Sequence, residues 1–183
     1  MPDQTETAKL ADPFLASPSH GEWWWPEGLV PEPDQFADFA ADIELPQAAS
    51  AAGIALTCGS WYSLWVNGVL VSHGPPREVA PWQYYDTADL RAFLTPGPNR
   101  LRIRAYHLGV DTQSHAACLA GLMVAGEIAG TDWRIDLGCR SHWLAARSPA
   151  FLRGGASLPV GYEAEPRNQS GGDRLHLPVG SGK

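Results

Sequence analysis

The middle of the chain is a succession of short runs in which apolar and polar residues alternate. Each run is closed by Gly, Pro or Asn. FADFAADIEL, from Phe36 to Leu45, alternates unevenly and has some helical character. Pro46 ends it and the next segment is strand-like, so a strand is expected. AAGIALTCGS reads as a second strand, with Ile54, Leu56 and Cys58 on one face. WYSLWV and VLVSH then flank Asn67-Gly68. An Asn-Gly pair between two apolar runs marks a β-hairpin, because both residues tolerate the positive φ of a type I′ turn.

Further runs follow the same rule. In LRIRAYHLG, Leu101, Ile103, Ala105 and His107 alternate with Arg102, Arg104 and Tyr106, which predicts one buried and one wetter face. AACLAGLMVAGEIAG, TDWRIDLG and SHWLAA read as later strands. One helical turn is expected over Ala88–Phe93, capped by Asp86 or Thr87 and ended by Pro96-Gly97 and Pro98-Asn99. About seven to nine short strands separated by turn signals indicate an all-β sandwich. Residues 1–20 read as a loose arm, 21–147 as the sandwich, and 148–183 as a linker-like extension rich in Gly, Pro and Ser.

Composition narrows what such a sandwich does. The chain has 183 residues, enough for one domain with a real core. The formal net charge of −7, with no basic stripe, argues against a nucleic-acid partner. No apolar run approaches the ~20 residues of a membrane span, and the acidic start lacks a signal-peptide core. Cys58, Cys118 and Cys139 are odd in number and widely spaced, so a disulfide framework and a zinc site are both disfavoured. Cys58 and Cys118 lie in apolar surroundings and read as small buried hydrophobes. A reduced, cytoplasmic setting is expected.

The order of motifs resembles a known family. Tyr62, Leu64, Trp65, Val66, Asn67 and Gly68 are followed by Gly74-Pro75, then by Tyr85, Asp86, Thr87, Asp89, Leu90 and Leu94. Pro96, Gly97, Asn99, Leu101 and Ile103 complete the series. This is similar to the galactose-binding-like jelly roll found beside catalytic domains in many glycoside hydrolases. With the upstream EWWWPEG and the downstream GLMVAGEIAGTDWRIDLGCRSHWLA, it resembles the N-terminal β-sandwich of bacterial α-L-rhamnosidases, over roughly residues 21–168. The resemblance implies a non-catalytic accessory domain, because that family keeps its catalytic carboxylates in a separate helical barrel. It also implies two partners, a catalytic domain and a rhamnose-containing carbohydrate. A free-standing carbohydrate-binding module and a protein-interaction scaffold are the alternatives.

The chemistry available to the residues agrees. A glycosidase needs two carboxyl groups about 5–9.5 Å apart, and nothing pairs Asp86, Asp89, Glu127, Asp132, Asp136, Glu163 or Glu165 in a pocket. No G-x-S-x-G elbow occurs. His107, Asp111 and His115 read as an inward strand histidine and two loop residues before they read as metal ligands. No cofactor is expected. For sugar contact the candidates are Trp82 and Tyr84, rings that can stack on a pyranose, beside Arg77 in the preceding loop. The Trp23–Trp25 triplet is a second, weaker candidate. Trp61 and Trp65, on one face of their strand, are expected to be covered.

Overall fold

The structure, a computed structural model, describes residues 22–76, 84–112 and 115–151. Nine strands alternate with turns: β1 Gln35–Leu45, β2 Ala51–Cys58, β3 Trp61–Val66, β4 Val69–Gly74, β5 Asp86–Asp89, β6 Gly97–His107, β7 Leu122–Ala129, β8 Arg134–Asp136 and β9 Leu144–Arg147. They form two sheets, ordered β4-β3-β6-β1-β9 and β5-β2-β7-β8. Among the described residues the strand pairs are antiparallel. The all-β sandwich expected from the run of short strands is borne out. Among the described residues no helix is long and apolar enough to cross a membrane.

Alternation on each strand builds the core. The row Leu64–Ile103–Phe39 crosses β3, β6 and β1 in register and is fully buried. The facing sheet contributes Ile54, Leu56 and Cys58 from β2, on one face as predicted, with Leu122, Val124 and Ile128 from β7. Gly126 lies opposite Ile54 with φ +132°, where a Cβ would meet the Gly53 carbonyl oxygen. The two backbones approach more closely there than any side chain permits.

The hairpin forms as the Asn-Gly pair requires, with φ +50° at Asn67 and +82° at Gly68. Asn67 then ties the turn to the next strand. Its Nδ2 donates to the Phe93 carbonyl (2.9 Å) and to Asn99 Oδ1 (2.8 Å), and its Oδ1 accepts from the Arg100 N–H (2.9 Å). Asn99 Nδ2 donates to the Thr95 and Gly97 carbonyls, and its Oδ1 accepts from the Thr95 N–H. The two asparagines of the sequence motif therefore form one clamp that starts β6.

Two local expectations are corrected. Asp86 and Thr87 do not cap a helix: they open β5, and only Arg91–Phe93 form a single 3₁₀ turn with no side-chain cap. Pairing of β5 with β2 competes successfully with a helix of one turn, which has too few internal hydrogen bonds to persist alone. Asp86 instead faces inward, where its carboxylate accepts from the Tyr62 hydroxyl at 2.5 Å and links the two sheets. Cys118 is half-buried rather than buried, because residues 116–121 precede β7 as irregular chain.

Candidate functional site

Of the sequence-derived sugar-contact residues, Tyr84 lies beside β5, an edge strand of the four-stranded sheet. Arg77 and Trp82 lie outside the described residues. Tyr84 is exposed just before β5, and its carbonyl accepts from Thr57 Oγ1 at 2.7 Å. Its backbone is anchored to β2 while its ring points to solvent, and the neighbouring Tyr85 is also exposed.

The tryptophan triplet divides. Trp24 pairs with Leu122 in an isolated bridge and packs edge-on against Phe39 at 4.7 Å. Trp25 also meets Phe39 edge-on, and its indole N–H donates to Gln35 Oε1. These two seal the margin of the core. Trp23 lies over Gly121 and stays partly exposed.

The outward face of the five-stranded sheet holds the larger concentration of chemistry. Cross-strand register sorts its side chains into rows, since residues directly opposite in an antiparallel pair share a face. The first row is aromatic: Trp61 on β3, Tyr106 on β6 and Phe36 on β1. The Trp61 and Tyr106 rings are 5.5 Å apart and within 13° of parallel. Phe36 lies 4.4 Å from Tyr106, and Phe151 stacks on Phe36 at 3.9 Å. His115 adjoins the free end at Trp61, 5.3 Å away. Ring faces in this strip are turned toward one another. Trp61 is 36% exposed, which corrects the expectation that this strand is covered on both sides. Among the described residues no second layer of the sandwich lies there, and the rings shield one another instead.

The second row places Arg104 opposite Asp38. Asp38 accepts from Arg104 Nε (2.7 Å), from Arg102 Nη2 (3.0 Å) and from the Ser148 hydroxyl (2.9 Å). Burial raises the proton affinity of this carboxyl, but the bonds from Arg104, Ser148 and Arg102 outweigh it and hold Asp38 below the ordinary aspartate value. The third row runs Trp65, Arg102, Ala40, Leu144. The Arg102 and Arg104 guanidiniums lie over the Trp65 ring, 5.7 and 6.0 Å from its centroid. In the fourth row Arg100 pairs with Asp42 at 2.9 Å.

Ala40 is the small residue in this pattern, set between Asp38 and Asp42 on its own strand and between Arg102 and Leu144 across strands. Its methyl floors an open concavity of about 510 Å³ lined by Asp38, Trp65, Gly68, Arg100 and Arg102. Sequence reading missed this site. The signal was present in the outward residues of LRIRAYHLG, whose arginines read only as a wetter face. Their acidic partners sit some sixty residues earlier, on a strand whose register the sequence does not fix.

His107, Asp111 and His115 do not converge as donors of one group. Among the described residues no three His, Cys, Asp or Glu side chains are arranged to hold a metal. His107 is buried at the end of β6 beside Trp25, and its Nδ1 has no hydrogen-bond partner. Burial, then the neighbouring His115, lowers its proton affinity. The Asp111 carboxylate accepts from the Ala117 N–H at 2.7 Å. His115 Nε2 lies 3.7 Å from the Cys118 thiol.

Comparison with solved structures matches this geometry. The chain is similar to the GH78 family rhamnosidase of Bacillus sp. GL1, with TM-score 0.58 and 25% identity, over 69% of this chain and 13% of that one. It is similar to the Streptomyces avermitilis α-L-rhamnosidase solved with L-rhamnose, with TM-score 0.53 and 19% identity, over 73% and 13%. A lectin from Pleurotus ostreatus, solved with GalNAc, shares the fold at TM-score 0.50 and 18% identity, over 68% and 35%. The chain thus spans about 13% of the length of the two rhamnosidases. No family model matches, and no curated protein matches. The likeness to a β-sandwich of α-L-rhamnosidases, read from the motif order, is borne out.

Proposed function

We propose that this chain is the non-catalytic accessory β-sandwich of a rhamnosidase-like glycoside hydrolase and that it contacts carbohydrate. The observation that carries the reading is the match to the Bacillus rhamnosidase, which takes in most of the described sandwich and only a small part of the enzyme. The carboxylates agree with it. Asp38, Asp42, Asp89 and Glu127 are each engaged by arginine, and Asp86 by Tyr62. A general acid and its partner carboxylate need to face one substrate bond instead. In this reading the sandwich packs beside a catalytic domain, and the Tyr84 edge, with Arg77 and Trp82 in the adjoining loop, meets glycan.

Incubation of the purified chain with an aryl α-L-rhamnoside tests the first half. No release of the phenol is expected, and turnover abolished by replacing one of its carboxylates overturns the proposal. Titration with L-rhamnose and a glycan panel, followed by tryptophan fluorescence and calorimetry, tests the second. Saturable binding is expected, and a folded chain that answers to no saccharide overturns carbohydrate contact.

A further inference from the structure

We infer that the concavity over Ala40, on the outward face of the five-stranded sheet, is a binding site for one ring of a neutral saccharide. It is separate from the Tyr84 edge. The inference rests on the reading of the chain as carbohydrate-contacting and names a place that the sequence did not.

Three features of the site point to that ligand. The first is the alternation of apolar and polar surface. A pyranose presents C–H groups on its faces and hydroxyls around its rim. The concavity offers the Trp65 ring as a wall and the Ala40 methyl as a floor, with Arg100, Arg102 and Asp38 around them. The second is charge balance. Arg100 is paired with Asp42, and Arg102 and Arg104 share Asp38, so each of the three guanidiniums already holds a carboxylate. An anion has to compete with those carboxylates for the arginines. A hydroxyl, which both donates and accepts, gains from both kinds of group. The third is rigidity. Trp65 is held under two arginines and Asp38 is fixed by three donors, so little side-chain freedom is lost when a ligand settles. The volume of about 510 Å³ falls within the range of about 300–1,000 Å³ usual for small-molecule sites.

The aromatic strip beside it does not serve the same purpose. Trp61, Tyr106, Phe36 and Phe151 are packed ring to ring. The strip is aromatic surface throughout, whereas the concavity sets polar side chains beside one ring.

The test is calorimetric titration of the whole chain with L-rhamnose, methyl α-L-rhamnoside and D-galacturonate, at two salt concentrations. Ala40→Leu, Trp65→Ala and Tyr84→Ala are the variants, each checked for an unchanged melting profile. Ala40→Leu fills the floor without deleting a contact, so it carries the test if Trp65→Ala fails to fold. The expected result is binding of a neutral glycoside that is insensitive to salt and weakened about tenfold or more by Ala40→Leu and by Trp65→Ala, equivalent to ~1.4 kcal/mol per tenfold. Binding lost in Tyr84→Ala and retained in Ala40→Leu overturns the inference and leaves the accessory reading standing. Salt-sensitive binding of galacturonate alone overturns the neutral class. A dimer that Ala40→Leu dissolves makes the face a protein interface and overturns the site. No binding of any saccharide overturns both.

Discussion

On the inner face of the five-stranded sheet, Leu64, Ile103 and Phe39 form a row within the hydrophobic core. Three residues along, on the outer face of the same three strands, the corresponding row is Trp61, Tyr106 and Phe36. Both rows are large and apolar, and register alone separates them. The inner row is covered by the second sheet. Among the described residues the outer one is covered by its own members, Phe151 and His115, and it is bordered by the Arg104–Asp38 pair. The difference teaches that hydrophobic size does not identify the core side of a strand. The polar residues on the intervening positions do.

The largest expected effect lies on the inner face. Phe39→Ala leaves a cavity at the contact of both sheets and both core tryptophans, and a loss of about 3–5 kcal/mol is expected by denaturant titration. A loss under ~1 kcal/mol would mean that Trp24 and Trp25 collapse into the gap and that the two faces are more alike than the burial suggests. Tyr62→Phe is next. Burial first, and then the Asp86 carboxylate, push the Tyr62 phenol well above its ordinary value, so the hydroxyl is a committed donor. Its removal takes from Asp86 the bond that spans the sheets, for an expected cost of about 1.5–3 kcal/mol.

How much of this was legible depends on the distance over which each signal acts. The hairpin at Asn67-Gly68, the turn at Pro96-Gly97-x-Asn99 and the two faces of β6 are local, and the structure has them as read. The hydrogen bond from Asn67 to Asn99 was legible only as two motifs, not as one clamp, because 32 residues separate them. Asp86 was misread because a capping pattern is indistinguishable in sequence from the start of an edge strand. Its partner, Tyr62, lies on the other sheet. The outer-face concavity was missed for the same reason: Ala40, Trp65 and Arg102 meet only once β1, β3 and β6 are in register. The fold was written in short spacings, and the site in long ones.

The outer face also offers a titration to set against the inner one. Asp38→Asn removes a charge that binds two arginines and a serine, and since the group is half-buried the expected cost is about 1–2 kcal/mol at neutral pH. The cost has a sign in pH. Asp38 is depressed in the folded chain, so its contribution is full above the unfolded aspartate value of about 3.9 and is lost as pH falls through the lower folded value. The gap between wild type and Asp38→Asn therefore closes only in strong acid. A gap that is constant down to the lowest pH at which the chain folds would place the effect in packing and not in charge.

The smallest effect comes from His107, and it separates the faces most finely because it appears in a different pH window. His107 is an inner-face residue that stays neutral, its proton affinity lowered by burial first and by His115 second. The unfolded chain takes up a proton near pH 6.5 while the folded chain resists. Stability is thus full above pH 6.5 and declines as pH falls from there toward the folded value. A shallow slope in melting temperature is expected in that range, well above the window of Asp38, and His107→Leu flattens it while leaving the Asp38 window in place. If the slope survives in His107→Leu, another group titrates there.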